Sequence, residues 1–186
     1  ISFVGLSYSR ILIGIVMVDF LMTFIVPSAA ARVVILASIC VGIVDAFGVA
    51  PKSNISRGLF IIFTYSATIF DKMIIAGATS LVARGLIEES AGIPVYYSQW
   101  FLAYLPCDLL TIAACWLTVL WLYPPEKDHL ADGSAYIQTQ LASLGAYSWR
   151  EKRAFVLMAV TVALWMTDFL HPIPPSMIGL GAGLAA

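Results

Sequence analysis

Charge is what this chain has least of. Only 11% of its 186 residues are charged, against about a quarter in an ordinary soluble domain. So few charges cannot furnish a surface that faces water on every side. The formal net charge is −1, and no basic patch with interleaved aromatics occurs, so nucleic acid is not an expected partner. Cysteine is sparse as well, with three in all and no Cys-x-x-Cys pair. Cys40, Cys107 and Cys115 each sit in an apolar run. That pattern argues against a disulfide framework and reads as small core or lipid-facing residues. The two histidines, His129 and His171, fall in loops without metal-ligand spacing. There is no G-x-S-x-G, no H-E-x-x-H and no glycine-rich phosphate loop. No enzyme and no cofactor is expected.

What the chain has in abundance is apolar length. Hydrophobic residues make up 61%, and the mean hydropathy is +0.93. The expected class is an all-α integral membrane protein with several spans in the plasma membrane. Residues 1–10 read as the end of a preceding membrane segment. The last apolar run, 177–186, is too short to cross. The chain is therefore expected to be the middle of a longer polypeptide.

Residues 11–47 are the most telling. Two apolar runs, 11–26 and 33–47, flank Pro27-Ser28-Ala29-Ala30-Ala31-Arg32. At a helical rise of ~1.5 Å per residue each run covers only about 24 Å. A bilayer core of about 30 Å asks for about 20 apolar residues. The pattern predicts a re-entrant hairpin whose tip stops inside the membrane. Backbone broken at that depth survives only where it is buried in protein or lines a cavity. In transporters such places hold the substrate and the coupling ion.

Further segments follow in order. Residues 48–57 are a polar loop, and 58–87 read as a transmembrane helix broken at Gly77-Ala78-Thr79-Ser80. Residues 88–99 form a second loop, 100–123 a full span, and 124–153 a long polar stretch. A further span occupies 154–171, with a turn and the start of another helix at 172–186. Lys52 and Arg57 lie in the first loop, and Lys127, Arg150, Lys152 and Arg153 in the polar stretch. The 88–99 loop has two acids and no Lys or Arg. The positive-inside rule then puts 48–57 and 124–153 in the cytoplasm and 88–99 outside. Two complete spans in place of the hairpin would leave the same loops inside; run length and the break favour the hairpin. Within 131–147, Ile137, Leu141 and Leu144 fall at helical spacing, which predicts a short amphipathic helix at the cytoplasmic surface.

The break at 27–32 is the first candidate site. A helix N-terminus there offers unpaired N–H groups to an anion, and carbonyls of the first arm suit a cation. Arg32 adds charge for a carboxylate, or else pairs internally. Gly77 to Ser80 form the second candidate, with two hydroxyls beside a loosened helix; a tight helix contact is the competing reading. Asp19, Asp45, Asp71, Lys72, Asp108 and Asp168 are charges in or near apolar runs, and Asp71 with Lys72 reads as a possible charge pair.

Hairpin, broken span, full span, cytoplasmic helix and next span together resemble the divalent anion–sodium symporter family of secondary transporters. The family's Ser-Asn-Thr tip corresponds to Ser28-Ala29-Ala30. Its Tyr-Ser-Ala-Ser-Ile-like run corresponds to Tyr65-Ser66-Ala67-Thr68-Ile69, and its Gly-Thr-Pro-Pro-Asn break to Gly77-Ala78-Thr79-Ser80-Leu81. Trp100, Leu105-Pro106, Glu151-Lys152 and Leu164-Trp165-Met166-Thr167 follow in the family's order. The resemblance implies an inverted-repeat, homodimeric carrier of dicarboxylates, tricarboxylates or sulfate. It implies substrate and ion contacts at Ser28, Ala29, Ala30, Gly77, Ala78, Thr79 and Ser80. Sodium is expected at Ser28, Ala30 and Gly77, with no other metal. Ala29, Ala30 and Leu81 stand where the family has Asn, Thr and Asn. Three side-chain oxygens are thereby missing, so proton coupling, exchange or a divergent substrate stands beside sodium. The rival readings are a non-transporting scaffold or sensor subunit and an oxyanion efflux permease of related fold.

Overall fold

The computed structural model describes residues 7–26, 28–75, 77–127, 145 and 148–185. Pro27, His129 and the amphipathic helix expected at 131–147 lie outside the described residues, apart from Gly145. Every regular element described is helical: α1 (Tyr8–Ile25), α2 (Ala29–Phe47), α3 (Asn54–Met73), α4 (Ala78–Ala91), α5 (Tyr97–Leu122), α6 (Trp149–Met166) and α7 (Pro175–Ala185), with a 3₁₀ turn at Asp168–Leu170. Helices α1, α2 and α5 are long and apolar enough to cross a membrane. The chain forms two compact units, residues 1–71 with 108–145 and residues 72–107 with 146–186.

In the first unit, α1 and α2 make a hairpin. The break between them is shorter than the sequence suggests. Helix α2 already begins at Ala29, not after Arg32, because three alanines in a row favour helix and Ser28 caps it. The arms are 18 and 19 residues long, about 27–28 Å at the helical rise. Both are apolar all round, so period alone does not say which face turns inward. The buried stripes are Tyr8, Ile11, Leu12, Ile15 and Asp19 on α1, and Arg32, Leu36, Cys40 and Val44 on α2. Ile13, Met17, Leu21 and Ile25, each four residues apart, stay exposed on α1, as a lipid-facing row requires. Helix α3 contributes Ile55, Leu59, Ile62, Phe63, Ser66, Ala67 and Phe70 to the same core. Its approach to α1 depends on Gly58: a Cβ there would strike the Tyr8 hydroxyl.

The polar ends of this unit are tied together. Gly48, at φ 59°, closes α2 in the left-handed conformation, which glycine adopts without a Cβ clash. Lys127 Nζ donates to the Phe47 carbonyl at 3.1 Å, next to the negative end of the α2 dipole. Glu126 accepts from the N–H groups of Asn54 at 2.5 Å and Ile55 at 3.2 Å. Burial acts to raise its carboxyl, but these N–H groups, with Arg57 nearby, hold it below the usual carboxylate range. The loop 48–53 and the segment 124–127 therefore meet at one end of the unit.

In the second unit, α4 follows a break after Met73, and α6 starts at a capping box. Ser148 accepts from Glu151 N–H, and Glu151 accepts from Ser148 N–H, which fixes the start of α6 five residues ahead of the apolar run. Helix α5 starts at Tyr97, three residues ahead of its apolar run, for a similar reason. The Asp168 carboxylate accepts from the Tyr97 N–H and from Ser98 Oγ at 3.0 Å. Trp165 Nε1 donates to the Pro175 carbonyl at 3.1 Å, and the Arg153 guanidinium donates to the Ala185 carbonyl, pinning α7 along α6.

Candidate functional site

The hairpin tip of the first unit carries the first set of candidates. Ser28 is the N-cap of α2, in extended conformation, and its Oγ accepts from the Ala31 N–H at 3.5 Å. Asp71, from the last turn of α3, accepts from the Ala29 N–H at 3.0 Å. A protein carboxylate thus already sits on this helix N-terminus, where the dipole favours negative charge. Ser28 and Ala30 are exposed at the tip, while Ala29 is half-buried.

Arg32 lies one turn further on, inside the core. It is fully buried, and each of its three nitrogens donates to the protein. Nε reaches Asp19 Oδ1 at 3.0 Å, one terminal nitrogen the Val26 carbonyl at 2.8 Å, and the other the Ala67 carbonyl at 2.7 Å. Ser66 Oγ donates to Asp19 Oδ2 at 2.6 Å, and Thr23 Oγ1 to the Asp19 carbonyl at 2.8 Å. Of the two expectations for Arg32, charge offered to a ligand or internal pairing, the geometry fits the second. Burying a guanidinium demands a full set of acceptors, and the structure provides them. Ser66 and Ala67, read from sequence as part of a motif, form the wall that receives it.

The second set lies in the second unit. Gly77 is the extended N-cap of α4, and Ser80 is buried. Ser80 Oγ turns back to the Lys72 carbonyl at 3.4 Å, which also accepts from Trp100 Nε1 at 2.8 Å. The hydroxyl of Ser80 therefore serves the carbonyl end of the preceding helix, whereas Thr79 is exposed. The Lys72 ammonium lies 5.8 Å from the centre of the Tyr104 ring. Asp71 and Lys72 are adjacent on one helix, where neighbours do not face each other, and each has these separate contacts.

The remaining charges divide by position. Asp108 and Asp168 are buried and Asp45 is exposed. Among the described residues, no disulfide joins Cys40, Cys107 or Cys115. Among the described residues no group of three His, Cys, Asp or Glu is placed to hold a metal. What sequence reasoning missed is the cluster of Asp19, Arg32 and Ser66. The available signal was one acid and one base on opposite arms of a short break: each alone is costly in an apolar environment, and together they neutralise.

The comparisons with known proteins follow the same outline. A family model described as the sodium:sulfate symporter transmembrane region matches residues 1–183. A membrane protein of Cupriavidus necator is 31% identical over 169 residues, covering 90% of this chain and 33% of the relative. The citrate/succinate antiporter of Escherichia coli K12 is 27% identical over 173 residues, covering 89% and 35%. The L-tartrate/succinate antiporter of the same strain is 32% identical over 92 residues, covering 49% and 19%. The chain thus spans about a third of the length of the first two relatives.

Proposed function

Starting from the fact that this chain belongs to the sodium:sulfate symporter transmembrane family, and so to a multi-pass membrane protein, we propose that it is part of a secondary carrier of di- or tricarboxylate anions that works by exchange. One observation carries the reading. The N-terminus of α2 is capped by an exposed Ser28, and the Ala29 N–H holds the carboxylate of Asp71 at 3.0 Å. A carboxylate of substrate needs the same chemistry: peptide N–H groups, a favourable dipole end and a small side chain that lets it approach.

Exchange is favoured over sodium symport by what the tip lacks. A hard cation takes several oxygen ligands. Ala29 and Ala30 contribute none from their side chains. The family relatives named as antiporters agree with this reading. In it, the hairpin tip stops within the membrane, and the whole polypeptide is a homodimer. No step is chemical: the protein binds and moves its substrate.

The test is flux through the full-length protein in proteoliposomes. Labelled succinate or citrate should enter only when the vesicles hold an unlabelled carboxylate. Replacing external sodium by potassium should change the rate less than twofold. Uptake that needs sodium and no internal anion would reject exchange. A well-folded protein with no flux under any gradient would favour the scaffold or sensor reading, which the three missing side-chain oxygens also support.

A further inference from the structure

A cavity of about 490 Å³ lies within the second unit, and no function assigned above uses it. That size suits a small-molecule site. One wall is a face of α4, where Leu81, Arg84, Gly85 and Glu88 fall at positions i, i+3, i+4 and i+7. The lining also includes Ser176 and Leu180 of α7, and Tyr97 and Trp165, whose rings stack with centroids 5.4 Å apart. Tyr97 is 1% exposed, and its hydroxyl has no hydrogen-bond partner among the described residues.

The ionic lining is balanced. Arg84 Nε donates to Glu88 Oε1 at 3.0 Å, and the Val95 N–H donates to the same oxygen at 2.9 Å. The Val95 N–H, opposed by partial burial and helped by Arg84, holds the Glu88 carboxyl below the usual carboxylate range. Among the described residues, the two terminal nitrogens of Arg84 and Oε2 of Glu88 are left for a ligand. A simple anion would be drawn by Arg84 and repelled by Glu88, and a simple cation the reverse. A zwitterion satisfies both. Leu81 and Leu180 supply apolar wall for acyl chains, and stacked Tyr and Trp rings beside a polar loop are typical of the membrane interface.

We propose that the cavity binds a phospholipid with a zwitterionic, primary-amine headgroup of the phosphoethanolamine type. Its phosphate meets Arg84 and the Ser176 hydroxyl, and its ammonium donates to Glu88. The adjacent carboxylate is what selects an amine that can donate hydrogen bonds over a quaternary one.

Native mass spectrometry of the full-length protein tests this, after exchange against phosphatidylethanolamine, phosphatidylcholine and phosphatidylglycerol in equal amounts. The ethanolamine lipid should be retained at least tenfold over the other two. Arg84→Gln should lower its retention at least tenfold, and Glu88→Gln should make it equal to phosphatidylcholine. Gly85→Leu guards against misfolding, because a Cβ there meets nothing within 4 Å while a longer side chain fills the cavity; it should also displace the lipid. Equal retention of all three lipids, preference for phosphatidylglycerol, indifference to these variants, or equally tight binding of soluble phosphoethanolamine would each overturn the proposal. So would a wild-type protein that keeps no lipid because another part of its own chain fills the groove.

Discussion

Arg32 Nε donates to Asp19 Oδ1 at 3.0 Å across the α1–α2 hairpin, and neither side chain has any exposed surface. The bond joins one arm to the other, and the remaining Arg32 nitrogens reach the end of α1 and the middle of α3. One guanidinium thus fixes three helices. The Ser28 cap and the Ala29 N–H sit on the first turn of the helix it anchors.

Breaking this pair from one side leaves a buried charge. Arg32→Gln or Asp19→Asn alone should cost about 3–5 kcal/mol. Asp19→Leu with Arg32→Met, which removes both charges, should cost well under the sum of the two single changes. Thermal unfolding of the purified full-length protein in detergent measures this. Additive costs would show that the two residues act separately.

Ser28 is exposed and contributes a long cap bond, so its loss should cost only about 0.5–2 kcal/mol of stability. Ser28→Leu should nevertheless abolish carboxylate uptake while leaving expression in the membrane unchanged. Ala30→Cys, also exposed, should react with a water-soluble thiol reagent and be shielded by bound dicarboxylate. Normal uptake by the leucine variant, or labelling unaffected by anions, would remove the tip from the proposed site.

The bonds of Glu126 to the first N–H groups of α3 make one end of the first unit sensitive to acid. Its carboxyl sits below the usual value in the folded state, despite the opposing effect of burial. The folded state therefore binds fewer protons than the unfolded one over this range. The stabilisation is present above the unfolded carboxylate pKa of about 4.3 and fades as pH falls through the lower folded value. Glu126→Gln should lower stability at pH 7 by about 0.3–1 kcal/mol and flatten this part of the profile. A wild-type profile unchanged by the substitution would contradict the assignment.

Gly58 of α3 leaves room for the Tyr8 hydroxyl of α1. Gly58→Val pushes a side chain into the Tyr8 hydroxyl and should destabilise by about 1–3 kcal/mol. Tyr8→Phe in the same protein removes the oxygen that a Cβ would strike and should recover part of that loss. The comparison of melting temperatures for the single and double variants decides it.

Much of the architecture is legible in the order of the amino acids. Low charge and long apolar runs require a membrane protein of packed helices, because each backbone group in lipid must bond within its own segment. The break near Ser28 and the break before α4 follow from residues that cap or loosen helices, though Ala78, Thr79 and Ser80, read from sequence as part of the second break, form the first turn of α4. The first break ends a few positions earlier than the residue pattern suggests, since small alanines beside an arginine resemble a loop while favouring helix. Helices α5 and α6 likewise begin ahead of their apolar runs, at Tyr97 and Trp149, where caps extend them. The roles of single charges are the least legible. Arg32 reads as available to a ligand because a sequence displays a charge but not its surroundings. Ser80 reads as a ligand hydroxyl for the same reason.

Composition and neighbours along the chain are enough to settle the solvent, the helical class and the places where helices break, because each of these is a local or bulk property. Packing in three dimensions was needed to settle which stripe of each all-apolar helix is buried, that Asp19 accepts from Arg32 and Ser66, and that Asp71 rests on the first amide of α2. These contacts join residues 13 to 47 positions apart. No local propensity encodes them, and they arise only when helices pack and a buried charge must find its counterpart.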